Sequence, residues 1–265
     1  MANSLKIVKD IHKAFAEIKA KEMEAVAEAL TEVGKDCVEQ LGNEVKRIFD
    51  RPTKFIVKGF YSTKATNKKM YVRVGIKDWY SGREEVGSSS SPLWSPQTSA
   101  RTVLQPHIEG GGRFIKGSES QLRNAGMLKS DEYIVPGGGL RLDPFGNVRG
   151  SYMIQILSSI GAFQWAGYDA NITPESIERR KRSKKKKIRM DAKWMSNTFV
   201  VRSGIPSHLK PGIYVRKGKR GISPLFLFVK KTNYKKRFDF EKIVIDMYNK
   251  RFPKEVREEI ARKLS

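Results

Sequence analysis

Acidic residues are scarce in this chain: 28 Asp and Glu stand against 52 Lys and Arg, a formal net charge of +24 over 265 residues. One cysteine, Cys37, excludes an intramolecular disulfide framework and a cysteine-based zinc site, since both need several sulfurs at fixed spacing. There are three histidines, and no pair of them has metal-ligand spacing. No run approaches the ~18 consecutive apolar residues of a membrane helix, and Met1 to Lys9 lack the apolar core of a signal peptide. The expectation is a soluble chain, made and kept in a reducing cytoplasm, that meets a polyanionic or acidic partner. Against these shortages, 39% apolar and 10% aromatic residues supply a packed core and exclude a wholly disordered basic protein.

The charge is unevenly placed. Up to Pro174 the chain has 24 basic and 19 acidic residues; beyond it, 28 basic and 9 acidic, so the last 91 residues carry +19. Such asymmetry concerns association more than fold, because a one-signed surface concentrates polyanions and repels itself. The densest point is Arg179, Arg180, Lys181, Arg182, Ser183, Lys184, Lys185, Lys186 and Lys187, eight cations in nine positions, with Arg189 close behind. Like charges packed this closely resist compact structure, so the stretch reads as a solvated arm that orders against a partner. A phosphate-contacting arm, a nuclear-import signal and an arm docking on an acidic protein face all fit it.

Periodicity predicts an α+β fold. From Leu5 to Phe49, apolar residues at Val8, Ile11, Phe15, Ile18, Met23, Val26, Leu30, Val33, Cys37, Leu41, Val45 and Ile48 fall at steps of mostly three and four, one face of a helix. A single helix of that length would span roughly 65 Å, so a break near Gly34 or Gly42, or a reach into a neighbouring subunit, is expected. Asp50-Arg51-Pro52 stops it. Lys54 to Tyr61 and Met70 to Ile76 read as a β-hairpin. Trp79 to Ala100, rich in Gly, Ser and Pro, reads as a long excursion whose Trp94 needs a burial place. Short helical pieces follow to Leu128, then a strand at Tyr133 to Pro136 and a helix from about Asn147 to Ala162. Asn197 to Arg202, Gly212 to Lys217 and Pro224 to Lys231 read as a β-meander, and hairpin and meander are expected to form a small antiparallel sheet. Phe238 to Phe252 and Lys254 to Leu264 are helical, with Pro253 between them. The expected divisions are an N-terminal amphipathic helix (1–50), an α+β region with Gly/Ser-rich loops (51–174), a basic arm (175–193), and a meander with C-terminal helices (194–265).

Catalytic chemistry finds little support. His12, His107 and His208 lie in unrelated contexts, and nothing in the spacing of His107, Glu109 and Asp143 makes them an acid/base set. Gly212 to Lys219 departs from a phosphate-binding loop: its glycines are one position too far apart and Arg220 replaces the Ser/Thr that would meet magnesium. No catalytic residue, metal ligand or cofactor is assigned. Aromatics alternate with cations at Tyr214 to Lys217, Phe226 to Lys231 and Tyr234 to Phe238, a pattern shared by base-stacking surfaces and by half-buried strands. No base-reading motif appears. Trp94, Lys235, Lys236 and Arg237 are the candidate interface residues beside the basic arm.

Three residue groups carry a resemblance. Arg51-Pro52-Thr53 after a long helix, Gln105 to Gly111 (QPHIEGG) followed by Leu140 to Asn147 (LRLDPFGN), and Lys236-Arg237-Phe238-Asp239-Phe240 with Arg251-Phe252-Pro253 resemble bacteriophage virion proteins of the structural or tail type. The overall plan is similar to the minor tail protein Z family of tail-completion proteins. The resemblance implies a non-enzymatic component of a tailed phage, a head-to-tail connector, neck or tail-completion ring subunit around the DNA path. Its implied partners are portal, adaptor or tail-tube proteins and its own copies in a ring, with non-specific contact to viral DNA. It implies residence in the virion, and in the host cytoplasm before assembly, with no membrane contact. The competing reading is a free cytoplasmic protein that binds nucleic acid without regard to sequence.

Overall fold

The structure, a computed structural model, describes residues 2–78, 99–165, 168–169, 171–202, 208–218, 221–230 and 233–265. It is α+β. The elements begin with α1 (Ala2–Ile48), α2 (Lys54–Val57), β1 (Phe60–Ser62), β2 (Val74–Ile76), α3 (Ala100–Ile108) and α4 (Gly117–Asn124). Next come β3 (Glu132–Pro136), α5 (Gly150–Ser159), β4 (Gln164–Trp165), β5 (Tyr168–Asp169), α6 (Pro174–Lys181) and α7 (Lys186–Met195). The chain closes with β6 (Thr198–Val201), β7 (Gly212–Lys217), β8 (Gly221–Lys230) and α8 (Phe240–Leu264).

Two compact units replace the four sequential divisions expected. The first joins the described residues up to 78 with Ser99–Glu109 and Lys236–Ser265; the second takes in Gly110–Lys235. The chain therefore leaves the first unit and returns to it, and the C-terminal helix belongs with α1 rather than with the meander. The cause is the apolar face of α1, which needs a second helix to cover it.

In the first unit, α1 is one continuous helix of 47 residues. Neither glycine breaks it, because each is a point of close approach. A Cβ on Gly34 would come within 2.6 Å of Val72 Cγ1, and one on Gly42 within 3.0 Å of the Val57 carbonyl oxygen. Arg51, with φ of 46°, turns the chain after α1. α8 runs antiparallel to α1: the Cys37 thiol faces the Val244 carbonyl at 3.9 Å, Arg251 Nε donates to Asp36 Oδ2 at 2.7 Å, and Arg262 Nη2 donates to Glu28 Oε2 at 2.8 Å. Ala25 and Ala29 are fully buried, so small side chains give α8 room along this stretch. α8 is also continuous, with Pro253 inside it. Leu41, Val45, Phe60, Leu104 and Phe238 form the core of the unit, and each such side chain contributes about 1.5–3 kcal/mol by leaving water.

The expected hairpin forms with shorter strands, and it stays a two-stranded sheet of its own instead of joining the meander in one sheet. β1 and β2 pair antiparallel, Tyr61 opposite Gly75. The first half of the run is helical instead, because the Thr53 carbonyl accepts from the N–H groups of Ile56 and Val57 and starts a helical turn there.

The second unit is built on a four-stranded antiparallel sheet in the order β3-β8-β7-β6. β6, β7 and β8 are the expected meander, and β3 adds to its open edge, Ile134 opposite Phe228. Leu122 of α4 and Ile156 and Leu157 of α5 pack with Ile134, Ile213, Leu225 and Phe226. β4 and β5 make a separate two-residue ladder. Glu119 lies in this core with no exposure. Its carboxylate accepts from Arg113 Nη1 at 2.8 Å, from Arg113 Nη2, and from the backbone N–H groups of Lys116 and Ile134, each at 2.9 Å. Burial alone would raise its pKa, but these donors hold it below the ordinary carboxylate value.

A basic helical pair as candidate functional site

The stretch expected to be an unordered arm is folded as α6, a turn at 182–185, and α7. Local rules start it in spite of the charge. Thr173 is the N-cap: its side-chain oxygen accepts from the Ser176 N–H at 3.2 Å, and the Ser176 hydroxyl oxygen accepts from the Thr173 N–H at 3.1 Å. Pro174 follows at the first helical position and Glu175 occupies the first turn, where the helix dipole favours a carboxylate. This Thr-Pro-Glu-Ser start is legible in the sequence and outweighs the repulsion that argued for a loop.

Further contacts hold the turn. Arg189 Nη1 donates to the carbonyl oxygens of Ser183 at 2.7 Å and Lys184 at 2.9 Å. Arg180 Nη1 lies 4.0 Å from Met195 Sδ and ties α6 to α7. At its far end α7 is anchored by Ala192 and Met195, both buried, and by Trp194, whose ring is 5.3 Å from that of Tyr152. The pair is therefore a positioned part of the second unit.

Its outer surface is cationic. Arg179, Arg180, Lys181, Arg182, Lys184, Lys185, Lys186, Lys187 and Arg189 are all exposed. Lys181 pairs with Glu178 at 2.6 Å, and that bond and charge hold the Glu178 carboxyl below its usual pKa. Among the described residues, Arg179, Lys184, Lys185, Lys186 and Lys187 form no ion pair, and the first turn of α7 carries no carboxylate. A depression beside α6 is lined by Pro174, Glu175, Glu178, Arg179 and Arg182. Its two carboxylates, Glu175 and Glu178, set it apart from the wholly cationic 184–187 stretch.

The other candidate residues separate. Trp94 lies outside the described residues. Lys235 is exposed, and Lys236 reaches Asp239 at 4.0 Å. Arg237 is exposed and also makes contacts within the first unit. Its Nε donates to His107 Nδ1 at 3.2 Å, its guanidinium lies 4.7 Å from the Phe49 ring centroid, and its backbone N–H donates to the His107 carbonyl at 2.9 Å. Phe49 meets His107 edge-on at 4.9 Å. Burial and then the Arg237 charge lower the His107 pKa to about 4, which keeps the imidazole neutral and able to accept at Nδ1. Sequence reasoning missed this cluster, because its members are brought together only by the return of the chain to the first unit.

Glu109 and Asp143 make local hydrogen bonds. Glu109 accepts from Gln105 Nε2 at 3.0 Å, and Asp143 Oδ1 accepts from the N–H groups of Phe145 and Asn147 in the turn before α5. Among the described residues, no three His, Cys, Asp or Glu side chains gather as metal ligands, and no helix is long and apolar enough to cross a membrane. No family model, curated protein or solved structure matches the chain.

Proposed function

We propose that the chain is a non-enzymatic structural component of a tailed bacteriophage virion, a head-to-tail connector, neck or tail-completion subunit that works in a ring around the DNA path. The observation that carries the reading is the unequal length of α1 and α8. α8 ends beside Glu24, where Lys263 Nζ lies 3.2 Å from Glu24 Oε1. Residues 15–23 of α1 run on exposed, Phe15 at 68% and Ile18 at 44%. A lone helix in water is marginal, and an apolar stripe on it is costly unless a neighbour covers it. In a ring, the neighbouring subunit or the portal or tail surface supplies that cover. The resemblance of the Arg51-Pro52-Thr53, Gln105 to Gly111, Leu140 to Asn147 and Lys236 to Phe240 groups to phage virion proteins supports the same reading.

Disrupting the gene in the phage that encodes it tests the proposal. Filled heads and tails that accumulate unjoined or incomplete, with the chain present in purified wild-type particles, are the expected result. Normal infectious particles that lack the chain would overturn it. The second reading, a free cytoplasmic nucleic-acid-binding protein, draws on the net charge of +24 and expects the chain in the cleared lysate and not in particles.

A further inference from the structure

We propose that the outer face of α6, the 182–185 turn and α7 docks on the sugar-phosphate backbone of double-stranded DNA without reading its sequence. The inference deepens the virion reading and rests on it only for the choice of DNA as the duplex. Magnitudes favour a duplex over an acidic protein face. α7 has ten residues and is about 15 Å long at ~1.5 Å per residue. Charges separated by more than ~10 Å are screened at ordinary salt, so a partner must place many anions within that reach. Duplex DNA carries one charge per ~1.7 Å, or about nine over a ~15 Å stretch; the eight cations between Arg179 and Lys187 face it from the end of α6, the turn and the first two residues of α7.

Side-chain chemistry narrows the partner further. Protein interfaces are depleted of lysine at their cores and are anchored by buried aromatic or apolar groups. Here the large apolar side chain exposed on the pair, among the described residues, is Met190 at 59%. Single strands bind by stacking bases on aromatic rings, and the one aromatic residue of α6 and α7, Trp194, already packs against Tyr152. Residues 174–195 contain no Asn or Gln to read adenine. Lysine dominates the turn as a point charge suited to phosphate. Arg189 and the α7 anchor hold these charges on one folded element.

The test is binding of the full chain to a mixed-sequence duplex of about 30 base pairs, followed by fluorescence anisotropy from about 0.05 to 0.3 M salt. The variant combining Lys184→Gln, Lys185→Gln, Lys186→Gln and Lys187→Gln should lose affinity about tenfold or more at ~0.15 M salt. Its log-log salt slope should flatten by about three to four, near 0.9 per lost phosphate contact. A reference variant with the same charge loss in the first unit, Lys54→Gln, Lys64→Gln, Lys68→Gln and Lys69→Gln, should change the slope by less than about one. Circular dichroism checks that both variants fold. An unchanged slope in the α7 variant, an equal loss in the reference, tighter binding to a single strand of the same length, or equal competition by polyglutamate would each overturn the inference. If the duplex is not bound but the chain is found in particles, this inference alone falls; if the duplex is bound but particles lack the chain, the virion reading alone falls.

Discussion

Asp36 and Arg251, 215 positions apart, meet at 2.7 Å and fix the register of α8 against α1. The pair is partly exposed, so its worth is limited. Asp36→Asn should cost less than about 1 kcal/mol in thermal or urea unfolding. Leu41→Ala, in the fully buried face beneath it, should cost about 2–5 kcal/mol. Equal costs would mean that the ion pair, and not the apolar face, holds the two helices together.

Gly34 gives a prediction of unusual sign. Replacing a glycine inside a helix by alanine ordinarily gains up to ~1 kcal/mol. Here the added methyl would meet Val72 Cγ1 at 2.6 Å and Ser62 Cβ at 3.3 Å, and valine has little rotamer freedom to give way. Gly34→Ala should therefore lower the melting temperature, and Val72→Ala in the same chain should recover part of the loss. A stabilised Gly34→Ala variant would show that α1 and the 70–73 segment do not approach this closely in solution.

His107 makes stability depend on pH. Its pKa falls from 6.5 to about 4 on folding, so the unfolded chain binds the proton more readily. The contribution is complete above pH ~6.5, is lost as pH falls from there through about 4, and then levels off; because the ring is only half-buried, solvent screening holds the loss to about 1–2 kcal/mol. Glu119, with its pKa lowered by Arg113 and two backbone donors, adds a loss at lower pH, where the unfolded carboxyl takes up its proton first. Chemical denaturation of His107→Gln should show a flatter profile between pH 6.5 and 4, while the Glu119 limb below it persists. An unaltered profile would place the titration elsewhere.

Neutralising Arg179 to Lys187 should impair particle assembly or infectivity while changing unfolding free energy by less than about 1 kcal/mol, since these side chains are exposed. Arg189 behaves differently because it closes the turn onto Ser183 and Lys184. Its replacement by alanine should raise amide exchange across 182–187. A comparable loss of global stability from the neutralised stretch would show that its charges support the fold.

Like-sign charge bears on the association state. On the proposed virion reading, a chain of +24 should sediment as a monomer at low salt, because self-repulsion opposes self-association in the absence of a preformed surface. A closed ring of the purified chain that survives across salt concentrations would contradict this.

Local signals were readable in the sequence, and long-range ones were not. The steps of three and four through Leu30, Val33, Cys37, Leu41 and Val45 announce α1, and Gly212 to Lys217 announces β7. The same glycines that suggested a break in α1 proved to be contact points, which only the positions of Val72 and Val57 reveal. β3 joining β8, and α8 pairing with α1, depend on chain returns across many residues that periodicity cannot see. The basic stretch is legible as a surface from its charge, but its helical fold follows from the Thr173-Pro174-Glu175-Ser176 cap, which outweighs the charge density. Arg237 is exposed, as its neighbours Lys235 and Lys236 suggest, but its contacts with His107 and Phe49 are not legible in the sequence.

The measurement that bears most directly on the virion account is the copy number of the chain per purified particle, compared between wild type and a variant carrying Phe15→Glu and Ile18→Glu. These residues lie on the stretch of α1 that α8 leaves exposed, so the variant should remain folded and monomeric. The account predicts wild-type chain at a ring's worth of copies per particle and the variant excluded from particles. Incorporation of the variant at the wild-type level, or absence of the wild-type chain from particles, would contradict it.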